Sequence, residues 1–533
     1  MRACRATGFR LCNTAGMALV LWGAASAAAQ TAPERPNILL LMADQFRGDC
    51  IGADGNRAIR TPNLDRLAAE GARFRCAYSS TPSCTPARAG LLTGLSPWRH
   101  GMLGYDRVAL EYAHEMPRML RDAGYYTLGI GKMHFHPQRN LHGFHRTILD
   151  ESGREESPDF RSDYRSWFWS VAPTLHPDAT GIGWNDYRAG TYALPEHLHP
   201  TRWTADVACG FLREYRDSRP FFLKVSFARP HSPYDPPERF RRMYDNADVP
   251  PALVGDWATC NDIRADPKDY SLWRGNLGPE QPRLSRRAYY GSVTFIDEQI
   301  GRILKVLEER DLLDRTLILF TADHGDMLGD HHLWRKTYAY EGSARIPMLI
   351  RWPKNLAAER GRVFAQPVEL RDVLPTFLDA AGVPIVEADF DGRSLLDLVR
   401  GRTEKWREVL DLEHSRCYPG SESWNALTDG HIKYIFHATT GREQLFDLER
   451  DPGELHDLAG KAAHKELLDV WRARLVRHLA GRGEAFVKDG RLVAPRPGIL
   501  HSPNYPEYDD ATANRPGTGQ NPTRPARAVR GRN

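Results

Sequence analysis

Four continuous apolar runs each end on residues able to do chemistry, and this pattern constrains the chain more than any other. PNILLLMA (36–43) leads into Asp44-Gln45, YYTLGIG (125–131) into Lys132 and His134, FFLKVSFA (221–228) into His231, and TLILFTA (316–322) into Asp323-His324. A further run, IPMLIRW, occupies 346–352. Helix-like segments lie between the runs. TPNLDRLAAEG (61–71) offers Thr61 as N-cap, Pro62 in the first turn, Leu64, Leu67 and Ala68 on one face, and Gly71 as a stop. The stretch 285–311 has helical spacing at Phe295, Gln299, Ile303 and Leu307. Apolar runs alternating with helices predict an α/β domain around a large, mostly parallel sheet. Ligands bind such sheets at the carboxyl ends of the strands. One shared site is therefore expected, drawn from residues as distant as 44 and 324.

With 533 residues the chain can bury a large core, and its net charge of +4 is small for that length. Nucleic-acid binding therefore has no global electrostatic support. At the N-terminus, Arg2, Arg5 and Arg10 precede the apolar run AGMALVLWGAASAAA, and Ala27-Ala28-Ala29 stands before Gln30. This reads as a signal peptide over residues 1–29, with an uncleaved anchor as the alternative. The run is short for a membrane span, and no later stretch is apolar enough to serve as one. The mature protein is thus expected to be exported, periplasmic or secreted, with no membrane span after cleavage. Six cysteines would remain, too scattered for a disulfide scaffold.

The texture changes beyond about residue 400. Residues 431–459 suggest a short strand, a hairpin and a turn at Asp451-Pro452-Gly453, and 461–481 has helical periodicity. A smaller C-terminal α+β subdomain is expected over 401–494. From 495 to 533 the chain is rich in Pro, Gly, Asn and Arg, which predicts disorder.

One cysteine demands a chemical explanation. Cys84 lies in SSTPSCTPARAGLLTG (79–94), with no neighbouring Cys for a zinc pair or a local disulfide. The pattern C-x-P-x-R-x-x-x-L-T-G resembles the signature of the sulfatase family, within the alkaline-phosphatase superfamily. Other segments agree in order. PNILLLMADQ is similar to the family's first metal-binding strand, and GKMHF (131–135) to its G-K-x-H. RPHSPYDPP (229–237) is similar to its P-H-x-P segment, and TADHGDMLGDHHLWRK (321–336) to its second metal motif with a trailing lysine. The resemblance spans roughly residues 35 to 480. It implies an alkaline-phosphatase-like fold, with a catalytic domain over 34–400.

The resemblance also implies roles. Cys84 would be oxidised by a maturation enzyme to formylglycine. Asp44, the Gln45 carbonyl, Asp323, His324 and the residue-84 oxygen would hold a divalent cation, Ca²⁺ first and Mg²⁺ second. Arg88 would orient the formylglycine diol, while Lys132 and Lys336 would bind sulfate oxygens. One diol hydroxyl would attack sulfur, with His231 donating a proton to the departing alcohol. His134 would then act as the base that restores the aldehyde. Gln45 stands where many sulfatases carry a second Asp, and His324 where many carry Asn. Imidazole suits softer metals than Ca²⁺, so His324 contacting the sulfate is an alternative.

The remaining histidines are read more plainly. His136, His142, His145, His197 and His199 are expected on surfaces or loops, although His100, His136 and Arg139 lie close enough in sequence to shape a pocket. DHGDMLGDHH (323–332) looks like a zinc cluster but is read as a solvated loop. RSDYRSWFWS (161–170) is read as core, with the surrounding insertion able to wall a saccharide site. The leading expectation is an exported sulfatase acting on a sulfated saccharide. A phosphonate or phosphate ester hydrolase of the same superfamily and a non-catalytic glycan-binding relative are the alternatives.

Overall fold

The computed structural model describes residues 35–508 apart from Pro267. The expected signal peptide and residues 509–533 lie outside the described residues. In chain order the principal strands are β1 (Asn37–Asp44), β2 (Ala72–Phe74), β3 (Ala77–Tyr78), β4 (Tyr126–Gly131), β5 (Arg146–Leu149), β6 (Phe221–Pro230), β7 (Thr316–Ala322), β8 (Met348–Arg351), β9 (Arg362–Phe364), β10 (Val368–Glu369), β11 (Leu410–His414), β12 (Trp424–Thr428), β13 (Ile432–His437) and β14 (Glu443–Asp447).

Eight strands form the central sheet in the order β5-β4-β6-β1-β7-β8-β2-β9. The run β5-β4-β6-β1-β7 is parallel throughout. Strand β8 is antiparallel to both β7 and β2. Ile38 to Ala43 of β1 are all fully buried, because helices cover both faces. The helix Glu280–Glu309 presents Phe295, Gln299, Ile303 and Leu307 inward, as their four-residue spacing predicts. The helix Pro62–Ala69 forms where Pro62 marks its first turn. Thr61 occupies the N-cap position as expected, but its side chain makes no cap hydrogen bond. Its hydroxyl accepts from the Gly52 N–H and donates to Asp65.

Beyond residue 400, β11 to β14 form a four-stranded antiparallel sheet in sequential order. Alternation along the strands gives the sheet two buried faces. Leu427, Tyr434, Phe436 and Leu445 pack on Leu468, Trp471 and Leu475 of the helix Lys465–Ala480. Leu412, Trp424, Ala426 and Ile435 pack on Tyr78, Leu333 and Tyr340. Strands β11 and β12 escape the sequence reading, which finds only the β13–β14 hairpin.

The expectation of disorder from residue 495 fails for 495–508. Met102 and His501 form an antiparallel bridge, and Leu500, Ser502 and Tyr505 are buried. Pro/Gly-rich composition predicts poor secondary structure, but it does not prevent a chain from packing as an irregular strap.

Candidate active site

The carboxyl ends of β4, β6, β1 and β7 are neighbours in the sheet, so the four expected strand ends converge. Asp44 is the last residue of β1, and the β1–β6 register shifts between Ala43 and Asp44. That irregularity lets the His231 N–H donate to the Asp44 carbonyl at 3.0 Å. Gln45 and His134 leave their strands with φ of 65° and 61°. These are uncommon backbone states for residues other than glycine, and they accumulate where the site dictates side-chain direction.

Cys84 opens the helix Cys84–Thr93, all ten residues of which are buried. It therefore sits at the helix end that favours negative charge. Ser83 occupies the N-cap position without capping; its hydroxyl lies 2.8 Å from His414 Nε2, on β11. The C-terminal sheet thus buttresses the turn that presents Cys84.

Ligand atoms of Asp44, Cys84, Asp323 and His324 all lie within 4.8 Å of one another, and all four residues are buried. This donor set fits a divalent cation. Asp44 Oδ1 has no hydrogen-bond partner, an expensive condition for a buried carboxylate oxygen. His324 has Nδ1 2.8 Å from the Gly325 carbonyl, which leaves Nε2 facing Cys84 Sγ at 3.2 Å. A backbone partner of this kind orients a ligating histidine. Gln45 is more constrained than its motif implies. Its backbone carbonyl accepts from the Tyr289 hydroxyl at 2.6 Å. Its side-chain Oε1 accepts from Lys336 at 2.8 Å and keeps one lone pair for a cation.

Cations surround this cluster. Lys132 Nζ lies 2.5 Å from Asp44 Oδ2. Burial would raise the Asp44 pKa, but the neighbouring cations, Lys132 first and then Arg88, hold it well below the usual range. Burial and Asp44 push the Cys84 thiol up, yet Lys336, Lys132 and His324 prevail and lower it. Arg88 does not face residue 84 as the resemblance implies. Its donors go to Asp323 at 2.9 Å, Asp44 at 3.1 Å, the Lys132 carbonyl at 2.6 Å and Ser226 at 3.2 Å. It pins the two carboxylates from beneath.

The two histidines differ in what they can do. Burial and nearby cations hold both His134 and His231 well below the ordinary imidazole range, so both are neutral. His134 can therefore accept a proton. His231 has Nδ1 3.0 Å from the Ser232 carbonyl and Nε2 2.7 Å from Lys336 Nζ. With Nδ1 directed at that carbonyl, Nε2 is left as the acceptor facing Lys336.

Several supporting residues carry no local sequence signal. Glu151 accepts from the backbone N–H groups of Met133 and His134, each at 3.0 Å, and fixes that turn. Tyr105 places its hydroxyl 3.3 Å from His134 Nε2. Trp184, from the insertion between β5 and β6, stacks on His231 with centroids 3.7 Å apart and planes 11° apart. Lys132 Nζ lies 4.6 Å from the centre of the same ring. The insertion thus does wall the site, although RSDYRSWFWS itself is core, with Tyr164 and Phe168 buried on Leu198 and Trp203.

Other expectations are corrected. His100 is buried and accepts from the Met102 N–H, while His136 and Arg139 pair with Glu156 and Asp163, so none of the three shapes the centre. His142 and His199 lie outside the regular elements, in a turn and a bend, but both are buried. DHGDMLGDHH is not a solvated loop. Asp326 accepts from Gln45 and Tyr234, and Asp330 pairs with Arg47 and Arg286. Buried carboxylates persist only when paired in this way. All six cysteines in the described residues are free.

A cavity of about 410 Å³ opens at the seam with the C-terminal sheet, beside the segment that carries Lys336. Trp257, Trp273, Tyr338 and Trp424 line it, with Arg274 and Arg442.

Comparison with known proteins agrees with this geometry. Residues 36–383 match the Sulfatase family model, and 329–480 match the model of the N-sulphoglucosamine sulphohydrolase C-terminal region. An arylsulfatase of Clostridium perfringens is 41% identical over 476 residues, covering 87% of this chain and 98% of that protein. A choline-sulfatase of Rhizobium meliloti is 35% identical, covering 80% and 82%. The crystal structure of a phosphonate monoester hydrolase of Agrobacterium radiobacter superposes with a TM-score of 0.72 at 26% identity, covering 87% of this chain and all of that one. The chain belongs to the sulfatase family of the alkaline-phosphatase superfamily and is a sulfuric ester hydrolase.

Proposed function

We propose that this sulfatase is exported, carries formylglycine at position 84, and removes sulfate from a sulfated saccharide with the help of a divalent cation. The observation that carries the reading is the buried set of Asp44, Cys84, Asp323 and His324 ringed by Lys132, Lys336 and Arg88. Bound between Asp44, Asp323, His324 and the Gln45 side chain, the cation would polarise the sulfate group; Ca²⁺ is the first candidate and Mg²⁺ the second. Formylglycine would supply a nucleophilic hydroxyl and a route for ejecting sulfate that a plain thiol lacks.

The chain's own residues supply the rest. Lys132 and Lys336 are positive charges preorganised for sulfate oxygens, in a site where little water screens them. Lys336, hydrogen-bonded to His231, holds the proton that the departing alcohol needs. Neutral His134 stands as the base. Support for a saccharide comes from the N-sulphoglucosamine sulphohydrolase match and from the aromatic, arginine-flanked cavity at the C-terminal seam. Support for export comes from the arginines and apolar run at the N-terminus.

The test is sulfate release from a panel of sulfated mono- and oligosaccharides, aryl sulfates and choline sulfate. The protein should come from a host with a maturation enzyme, beside Cys84→Ala. Release by the native protein, abolished by at least about 10³-fold in the variant, is the expected result. The structural likeness to a phosphonate monoester hydrolase favours one second reading, phosphonate ester hydrolysis. A faster rate on phenyl phosphonate monoesters than on every sulfate ester would replace the first reading with it.

A further inference from the structure

We propose that Tyr105 is a positioning residue for His134, and that residues 498–507 form a strap that holds Tyr105 in place. The proposal rests on His134 acting as the base.

The loop 101–110 has almost no regular structure, so its backbone groups must find partners elsewhere. The strap supplies partners for four of them. Ser502 N–H donates to the Gly101 carbonyl, and Leu103 N–H donates to the Leu500 carbonyl, both at 2.8 Å. The Tyr505 hydroxyl donates to the Arg107 carbonyl at 3.0 Å, and Leu110 N–H donates to the Glu507 carboxylate. Others come from outside the strap: the Ser415 N–H reaches the Leu103 carbonyl at 2.6 Å, the Gly101 N–H the Pro97 carbonyl, the Met102 N–H His100, the Ala109 N–H the Tyr112 hydroxyl, and the Asn140 amide the Leu110 carbonyl. Contact is close enough to demand glycine at 101. Its φ is 90°, and a Cβ there would fall 2.3 Å from Tyr505 Cα. The strap is itself well seated. His501 and Tyr505 stack with centroids 4.0 Å apart, and the Ser502 hydroxyl donates to the Trp98 carbonyl at 2.6 Å.

Tyr105 stands in the middle of this pinned loop. Its ring meets His134 edge-on, with centroids 5.9 Å apart, and its hydroxyl lies 3.3 Å from Nε2. Glu151 fixes the His134 backbone, and Tyr105, whose hydroxyl also meets the Arg154 side chain, is the imidazole's hydrogen-bond partner among the described residues. His134 Nδ1 is buried and unpaired. When Tyr105 accepts from Nε2–H, Nδ1 keeps the lone pair that a base requires. The opposite tautomer would bury an Nδ1–H with no acceptor. This assignment comes from the hydrogen-bond pattern.

The experiment uses the matured enzyme with 4-nitrophenyl sulfate. Tyr105→Phe keeps the ring and removes the hydroxyl; kcat should fall about tenfold with KM unchanged within about twofold. Truncation after residue 494 should reproduce the kcat loss and open the exposed Arg107 to trypsin, whereas truncation after residue 508 should do neither. Should the shorter chain not fold, Ser502→Ala with Tyr505→Phe removes three strap hydrogen bonds at full length and should give the same changes, smaller in size. Wild-type kcat in Tyr105→Phe would end the positioning role. Wild-type resistance at Arg107 in the folded strap variants would end the strap. The trypsin arm is independent of turnover, so an inactive wild-type enzyme would count against the reading of the site and not against the strap.

Discussion

Two largely buried charge clusters flank Gln45, each built from two aspartates and two basic side chains, with only Asp49 half-exposed. One holds Arg47, Asp49, Arg286 and Asp330. There Arg47 binds Asp49 and Asp330 and the carbonyls of Asp326 and Met327, while Asp330 accepts from Arg286 and from the Leu253 N–H. The other holds Asp44, Arg88, Lys132 and Asp323, where Asp44 Oδ1 and nearby His134 Nδ1 are left without partners. The first cluster is satisfied and only structural. The second leaves those two polar atoms unpaired. Unpaired buried atoms occur elsewhere too, but among the described residues only here do they coincide with a cluster of metal-ligating side chains at the carboxyl ends of the strands.

The sharpest test of that contrast exchanges one aspartate in each cluster. Asp44→Asn should cut sulfate release by at least about 10³-fold while the protein still folds. Asp330→Ala should instead destabilise by about 3–5 kcal/mol in urea unfolding, because it leaves Arg47 and Arg286 buried without their shared partner. Turnover per folded molecule should survive in Asp330→Ala. Activity loss in Asp330→Ala without loss of stability would break the distinction.

Lys224, on β6, offers an intermediate case. Burial and then Arg88 push its pKa down to about 7, and no carboxylate pairs with it among the described residues. Its folded value lies below the unfolded one. The cost of burying its charge is therefore full below pH 7 and is relieved as pH rises toward about 10. Relative to Lys224→Met, the wild-type protein should gain about 1–2 kcal/mol of unfolding free energy between pH 7 and about pH 9. Parallel stability profiles for the two proteins would refute the shift. The smallest effect belongs to Trp184. Trp184→Ala removes a stacked ring from His231 and a cation–π contact from Lys132, worth about 1 kcal/mol, so kcat/KM should fall roughly five- to tenfold. An unchanged kcat/KM would reduce Trp184 to a bystander.

Much of the site was legible because its parts occupy strand ends and short motifs. Asp44, Lys132, His231 and Asp323 each follow a continuous apolar run, and β1, β4, β6 and β7 form there. Cys84 and Arg88 stood out through their spacing with Pro86. The directions of those side chains were not legible. Arg88 turned beneath the carboxylates, and His231 became an acceptor for Lys336. Tyr105, Glu151, Trp184 and His414 left no trace in the sequence, since each acts through contacts that only folding creates. The strap was misread because composition reports local propensity, whereas its order comes from bonds to residues nearly 400 positions away.

Periodicity and punctuation act locally, through burial of apolar side chains and the geometry of strands and helices. They specify which segments form the sheet and which residues stand at its working end. Pairing among buried polar atoms is a property of three dimensions. Which carboxylate oxygen stays open, which imidazole stays neutral, and which tail residues clamp the Tyr105 loop all depend on groups brought together by folding. In the low-dielectric interior a shift of about 1 Å changes such energies by several kcal/mol, and no stretch of sequence carries that distance.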